Sequence, residues 1–219
     1  MARYATTLVS DLDDGLILAP ERYDPTRRSL GQTDKTVGDL VQIVSTQVNG
    51  KSADPSARYL VLDTGDAREG IVVTQKDPVS AKDLRSSKKS VDPGDVIISR
   101  LRPYLKQVAM VDTALWSRAD HVVCSTEFYV LRSKVPGGLG FLVPWLLSDP
   151  VQAVLAAAQE GGHHPRFNSE VLRKLPVPDA LWAGKEKSSE GMEKAVASQR
   201  ECEETVRLLV EAASAANLQ

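Results

Sequence analysis

Cysteine is nearly absent from this sequence: Cys124 and Cys202 stand far apart and form no C-x-x-C pair. That excludes a disulfide framework and a cysteine-rich zinc site, and it suits a reducing compartment. Aromatic residues are also scarce, at 5%. Platforms for single strands or RNA rely on exposed rings, so that scarcity argues against them. The longest apolar run, Gly140–Leu147, is broken by Pro144 and falls far short of the ~20 residues that span a bilayer. Met1–Ala19 carries Asp11, Asp13 and Asp14 within its apolar stretch, which is unlike a signal peptide. A soluble cytoplasmic protein is expected.

Catalytic constellations are missing as well. His163 and His164 are adjacent with no third ligand nearby, a poor start for a zinc site. Asp95 and Glu127 suggest a metal-dependent nuclease pair, but Tyr129 stands where the lysine two residues after the glutamate is expected. Gly138-Leu139-Gly140 lacks its third glycine, which is Val143, so a plain turn outweighs a cofactor loop. No Asn-Pro-Pro-aromatic motif of an amino-methyltransferase occurs. The sequence points to binding rather than catalysis, with no catalytic or metal-binding residue and no cofactor in this chain.

What is present suffices for a core. The chain has 219 residues, 42% hydrophobic and 26% charged, a length that fits one large domain with an appendage. The segment up to about Thr33 is rich in turn formers and reads as an arm. Residues 36–43 read as a short helix running into a strand. Then the pattern turns β-like, with candidate strands at 59–63, 70–74, 96–99, 106–111, 121–124 and 126–132. Pro144 and Pro150 suit first turns of helices, Val151–Glu160 is helical, and Asn168 can cap a short helix over Ser169–Leu175.

After Gly184 the chain changes character. Met192, Ala195, Gln199, Cys202, Val206, Leu209, Ala213 and Ala216 follow alternating steps of three and four, a heptad seam on a rod of roughly 43 Å. Such a helix can lie on its own domain or pair with a partner helix. Small seam residues and flanking charges favour the partner. The expected fold class is therefore α+β: a β-rich domain over 1–184, then a coiled-coil helix over 185–219.

Charge separates the same two parts. The formal net charge is −2. From Glu186 onward, seven acids face four bases, a net of −3, which leaves +1 for the body. Within the body, Lys82–Lys106 carries seven bases against three acids. Such a cluster suits a phosphate-tracking surface, and Arg can also read guanine bidentately. A solvated loop face is the alternative.

The order of segments resembles a known family. Pro93-Gly94-Asp95-Val96-Ile97-Ile98-Ser99-Arg100-Leu101-Arg102-Pro103 is similar to a segment of the target recognition domains in specificity subunits of type I restriction-modification systems. Thr126–Arg132 resembles the strand that follows it, and Arg22-Tyr23-Asp24-Pro25 an N-terminal feature. The helix around Leu142–Ala158, the loop Gly161–Asn168 and Val171–Pro178 resemble the closing pattern. A full subunit has two recognition domains and two long helices, whereas this sequence has one of each, so it looks like a half-subunit or a piece of a longer one.

The resemblance implies sequence-specific recognition of double-stranded DNA at a bipartite site. It implies a homodimer or a second half-subunit joined through the seam, and a DNA methyltransferase subunit as partner. A restriction motor subunit is a further partner that the resemblance implies for a phage-defence assembly. S-adenosylmethionine, Mg and ATP belong to those partner subunits. Candidate DNA-binding residues are Arg85, Lys88, Lys89, Arg100, Arg102, Tyr104, Lys106, His163, His164, Arg166 and Asn168. Tyr104 can equally belong to a structural turn, Asn168 can serve only as a cap, and Asp95 is expected to fix its turn. The competing readings are a stand-alone DNA-cleaving or modifying enzyme, and a defence-system scaffold that binds protein only.

Overall fold

Short β-branched runs bounded by turn residues build this chain's core, as their preference for a pleated, half-buried surface requires. The structure, a computed structural model, describes residues 6, 8–11, 30, 33–160 and 165–216. Arg22–Pro25, His163 and His164 lie outside the described residues. Helix α1 (Val37–Leu40) leads directly into β1 (Val41–Val44). Next come β2 (Gln47–Val48), β3 (Arg58–Leu62), β4 (Ala67–Arg68), β5 (Gly70–Val72) and β6 (Val79–Ser80). Strands β7 (Lys88–Ser90), β8 (Val96–Ser99), β9 (Val108–Met110), β10 (His121–Ser125) and β11 (Phe128–Ser133) complete the β section.

These strands form two stacked sheets. One has six strands in the order β1-β11-β8-β9-β5-β4; the other has five, in the order β2-β7-β10-β3-β6. Strand β8 is buried throughout, and its alternation assigns each side chain to a layer. Ile97 faces Leu60, Leu62, Val122 and Cys124 of the second sheet, together with Phe128 and Val130. Val96 and Ile98 face a helical layer. Burial pushes the Cys124 thiol up to about 12, so it acts as a small apolar side chain.

The helical layer holds α2 (Leu142–Leu147), α3 (Asp149–Ala157) and α4 (Ser169–Arg173), with Pro150 in the first turn of α3. After α4 the chain pairs with the segment before α1: the Val37 N–H donates to the Leu175 carbonyl at 3.0 Å, and Val177 N–H to Lys35 at 2.9 Å. Helix α5 (Asp179–Ala183) then turns into α6 (Lys185–Ala216). The fold is α+β, a two-sheet body followed by one long helix. Among the described residues, no helix is long and apolar enough to cross a membrane.

Three features differ from expectation. Strand β7 contains Lys88 and Lys89, read from the sequence as a charge run; it forms because β10 and β2 pair with it on either side. The strand expected over 106–111 begins only at Val108, because Lys106 is left-handed at φ 50° and ends the ladder. Helix α6 divides its length. Ser189 and Val196 are buried, and Met192 packs beside Val196 against the helical layer. From Glu204 to Ala215 every residue is exposed.

The root of α6 is held by close approach and by charge. The Ser189 hydroxyl accepts from Phe141 N–H at 3.1 Å. Gly140 permits this contact, since a Cβ there would stand 3.1 Å from Ser189 Cα. Further along, Arg200 donates to Asp112 Oδ2 at 2.7 Å, to the Val72 carbonyl at 2.7 Å and to Glu203 at 2.7 Å.

Candidate nucleic-acid interface

The β8–β9 hairpin carries the basic loop singled out in the sequence. Ser99 N–H donates to Gln107 O at 2.9 Å and closes it. Between them, Pro103–Leu105 form one 3-10 turn bounded by Arg102 at φ 45° and Lys106 at φ 50°. Left-handed backbone disfavours residues other than glycine by ~1–2 kcal/mol each, so this knuckle is a held shape. It buries Pro103 and turns Tyr104 and Leu105 outward, 62% and 49% exposed.

Beside this hairpin lies the turn between β10 and β11, whose Glu127 accepts from two arginines. Arg100 Nε donates to Oε2 at 2.9 Å; Arg166 donates through Nε to Oε2 at 2.9 Å and through Nη2 to Oε1 at 2.8 Å. Backbone pairing supports this cluster. Arg100 N–H donates to the Glu127 carbonyl at 2.9 Å, and the Arg100 carbonyl accepts from Phe167 N–H at 3.3 Å. The Tyr129 hydroxyl donates to Phe167 O at 2.9 Å. The hydrogen bonds from Arg166, then those from Arg100, outweigh burial and hold the Glu127 carboxyl down at about 2. Glu127 thus joins the loop after β8 to the loop before α4.

The expected contact residues divide by what already holds them. Arg100, Arg166, Lys88 and Lys89 are brought together around the 125–128 turn, since Lys88 pairs with Ser125 and Lys89 with Cys124. Lys89 is committed: its ammonium donates to Phe128 O at 2.6 Å and sits 5.5 Å from the Tyr129 ring centroid, and burial pushes its pKa down. Among the described residues, Lys88 donates only to Ser86 Oγ, at 2.7 Å. Lys106 reaches Asp149 at the start of α3, 2.6 Å away. Arg85 and Arg102 are exposed, with no ion pair among the described residues. Asn168 caps α4, its Oδ1 accepting from Glu170 and Val171 N–H at 2.9 and 3.1 Å.

Asp95 serves its turn. It is 2% exposed, accepts from the Asp92 N–H at 2.8 Å and takes both Nε and Nη2 of Arg132. Glu127, expected from the sequence only as half of a nuclease pair, instead joins two of the candidate arginines. Its position one residue before an apolar strand carries no hint of two distant arginines. Among the described residues, no three His, Cys, Asp or Glu side chains group as a metal site.

No protein-family model matches the chain, and no curated protein matches it. Solved structures do. A chain from a type I R-M system, solved in work on its complex assembly and conformational transition, superposes with TM-score 0.58 at 25% identity. It covers 86% of this chain and 47% of its own length. The HsdS subunit from Thermoanaerobacter tengcongensis gives TM-score 0.54 at 23% identity, with the same 86% and 47% coverage. The chain has the fold of half a type I specificity subunit. It spans about half the length of the solved chains it matches, 47%. In this half-specificity-subunit fold, the basic knuckle and the Glu127 cluster lie in the hairpin and loops of the two-sheet body, and α6 is the one long helix among the described residues.

Proposed function

We propose that this chain is a non-catalytic recognition subunit of a type I-like restriction-modification or phage-defence system. It reads one half of a bipartite duplex DNA site. The likeness to an HsdS subunit over 86% of the chain carries the reading. The chemistry of the loops supports it: Lys88 and Arg102 suit phosphates, and Arg100 and Arg166 present planar guanidinium groups beside them. In this reading Arg85, Tyr104 and Lys106 flank the DNA, and Lys89 and Asn168 hold the loops that touch it.

The exposed end of α6 pairs with the same helix of a second copy. Val206, Leu208, Leu209 and Val210 are 52–65% exposed on it, and the match to about half of an HsdS chain leaves room for one more recognition domain. Two-fold pairing would give a palindromic split site. A methyltransferase subunit supplies the S-adenosylmethionine chemistry, and a motor subunit the ATP- and Mg-dependent cleavage.

Binding of labelled duplex by the full chain tests the proposal. Arg100→Ala with Arg102→Ala should weaken binding at least tenfold and reduce the salt slope by about one, the share of Arg102, while assembly with a methyltransferase subunit persists. Unchanged binding would place the DNA on another surface. Cleavage of duplex by the purified chain with Mg²⁺ alone would contradict a purely binding role.

A further inference from the structure

Arg100 and Arg166 share one carboxylate but are held differently. Arg166 gives its Nε–Nη2 edge to Glu127 in a side-on fork. Arg100 gives only Nε. Its backbone is fixed on both sides, through the Glu127 carbonyl and Phe167 N–H. Its guanidinium also lies beside the Tyr129 hydroxyl; burial pushes that phenol up while the arginine pulls it down. A guanidinium has five N–H donors. With Nε–H on Glu127 and at most one more on the Tyr129 oxygen, both terminal nitrogens of Arg100 keep a donor. Donors on both terminal nitrogens are thus left to form an end-on edge, on a side chain whose backbone is already fixed and which remains 34% exposed.

That edge matches the O6 and N7 acceptors of guanine in the major groove. It also matches phosphate, but Glu127 decides between the two. Its carboxylate lies against the same guanidinium and repels an anion arriving there, whereas a neutral base edge meets no such opposition. Arg102 and Lys88 have no carboxylate beside them among the described residues and remain the phosphate contacts.

We propose that Arg100 reads a guanine in the half-site and that Glu127 is the positioning residue that presets its guanidinium and turns it away from phosphate. This rests on the DNA-recognition reading above.

The test uses the full chain and a random-sequence duplex library, followed by affinities for the selected duplex changed at one base pair at a time. One guanine per half-site should emerge whose replacement weakens wild-type binding about tenfold or more. Arg100→Ala and Arg100→Lys should flatten the preference at that position alone, since lysine keeps the charge and loses the fork. Glu127→Gln should flatten the same position while binding to unrelated duplex stays equal or rises. Thermal melts of each variant accompany the affinities.

The proposal is overturned if Arg100→Ala weakens all duplexes alike with a shallower salt slope, the behaviour of a phosphate contact. It is also overturned if Arg100→Lys keeps the guanine preference, or if Glu127→Gln erodes every position together. Selection of a sequence by wild type that all three variants still select would defeat this inference alone. A wild-type protein that enriches no sequence would defeat the DNA-recognition reading itself.

Discussion

Glu127 shows how one side chain ties binding chemistry to stability. Its carboxyl is held down at about 2, chiefly by Arg166 and then by Arg100. A carboxyl depressed in the folded state contributes stability that is fully present above its unfolded value. That contribution is lost as the pH falls through the folded value. Urea melts should therefore show wild type losing stability between about pH 4.5 and 2, and Glu127→Gln losing less over the same window. Equal slopes would mean that the cluster does not persist in solution. Asn168→Ala should lower stability by ~1 kcal/mol through the lost cap and leave DNA affinity intact; a parallel loss of affinity would give Asn168 a second role. At this scale the sequence was legible where the chemistry is local. The Asn168 cap and the Asp95 turn depend on neighbours within a few positions. The joining of Arg100, Glu127 and Arg166 depends on three segments that only the assembled sheets bring together, and the commitment of Lys89 to Phe128 O has the same origin.

Helix α6 carries two faces that one heptad pattern cannot separate. Ser189, Met192, Val196 and Arg200 point at the body. Ala195, Cys202, Val206, Leu209 and Ala213 are exposed and lie about 100° around the helix from that face. Met192 was legible as a heptad position, but whether it meets the body or a partner depends on Gly140, which lies far away in the chain. The Arg200–Asp112 pair is largely shielded, at 19% and 10% exposure. Arg200→Ala should therefore cost about 2 kcal/mol, because Asp112 is left largely buried without its cation; chemical denaturation checks this. Val206→Glu with Leu209→Glu should abolish self-association in light scattering while the monomer's melting temperature stays within a degree or two. A dimer that survives both changes would move the interface elsewhere.

At the scale of the molecule, the near-neutral charge of −2 averages two unlike surfaces. The body is positive where its loops gather Lys88, Arg100, Arg102 and Arg166, and α6 is acidic. The α+β class and the long terminal helix were legible because β-branched runs and an uninterrupted heptad register are local signals. The stacking of two sheets was not, since strands such as Gln47–Val48, Ala67–Arg68 and Lys88–Ser90 exist only through their partners. The proposal that unites these scales is duplex recognition by the two-sheet body. The most direct measurement is sequencing of duplexes retained by the full chain from a random library at about 0.15 M salt, where unspecific phosphate contacts are weakened. An inverted pair of half-sites at one fixed spacing is the predicted result; retained duplexes no different from the starting library would contradict it.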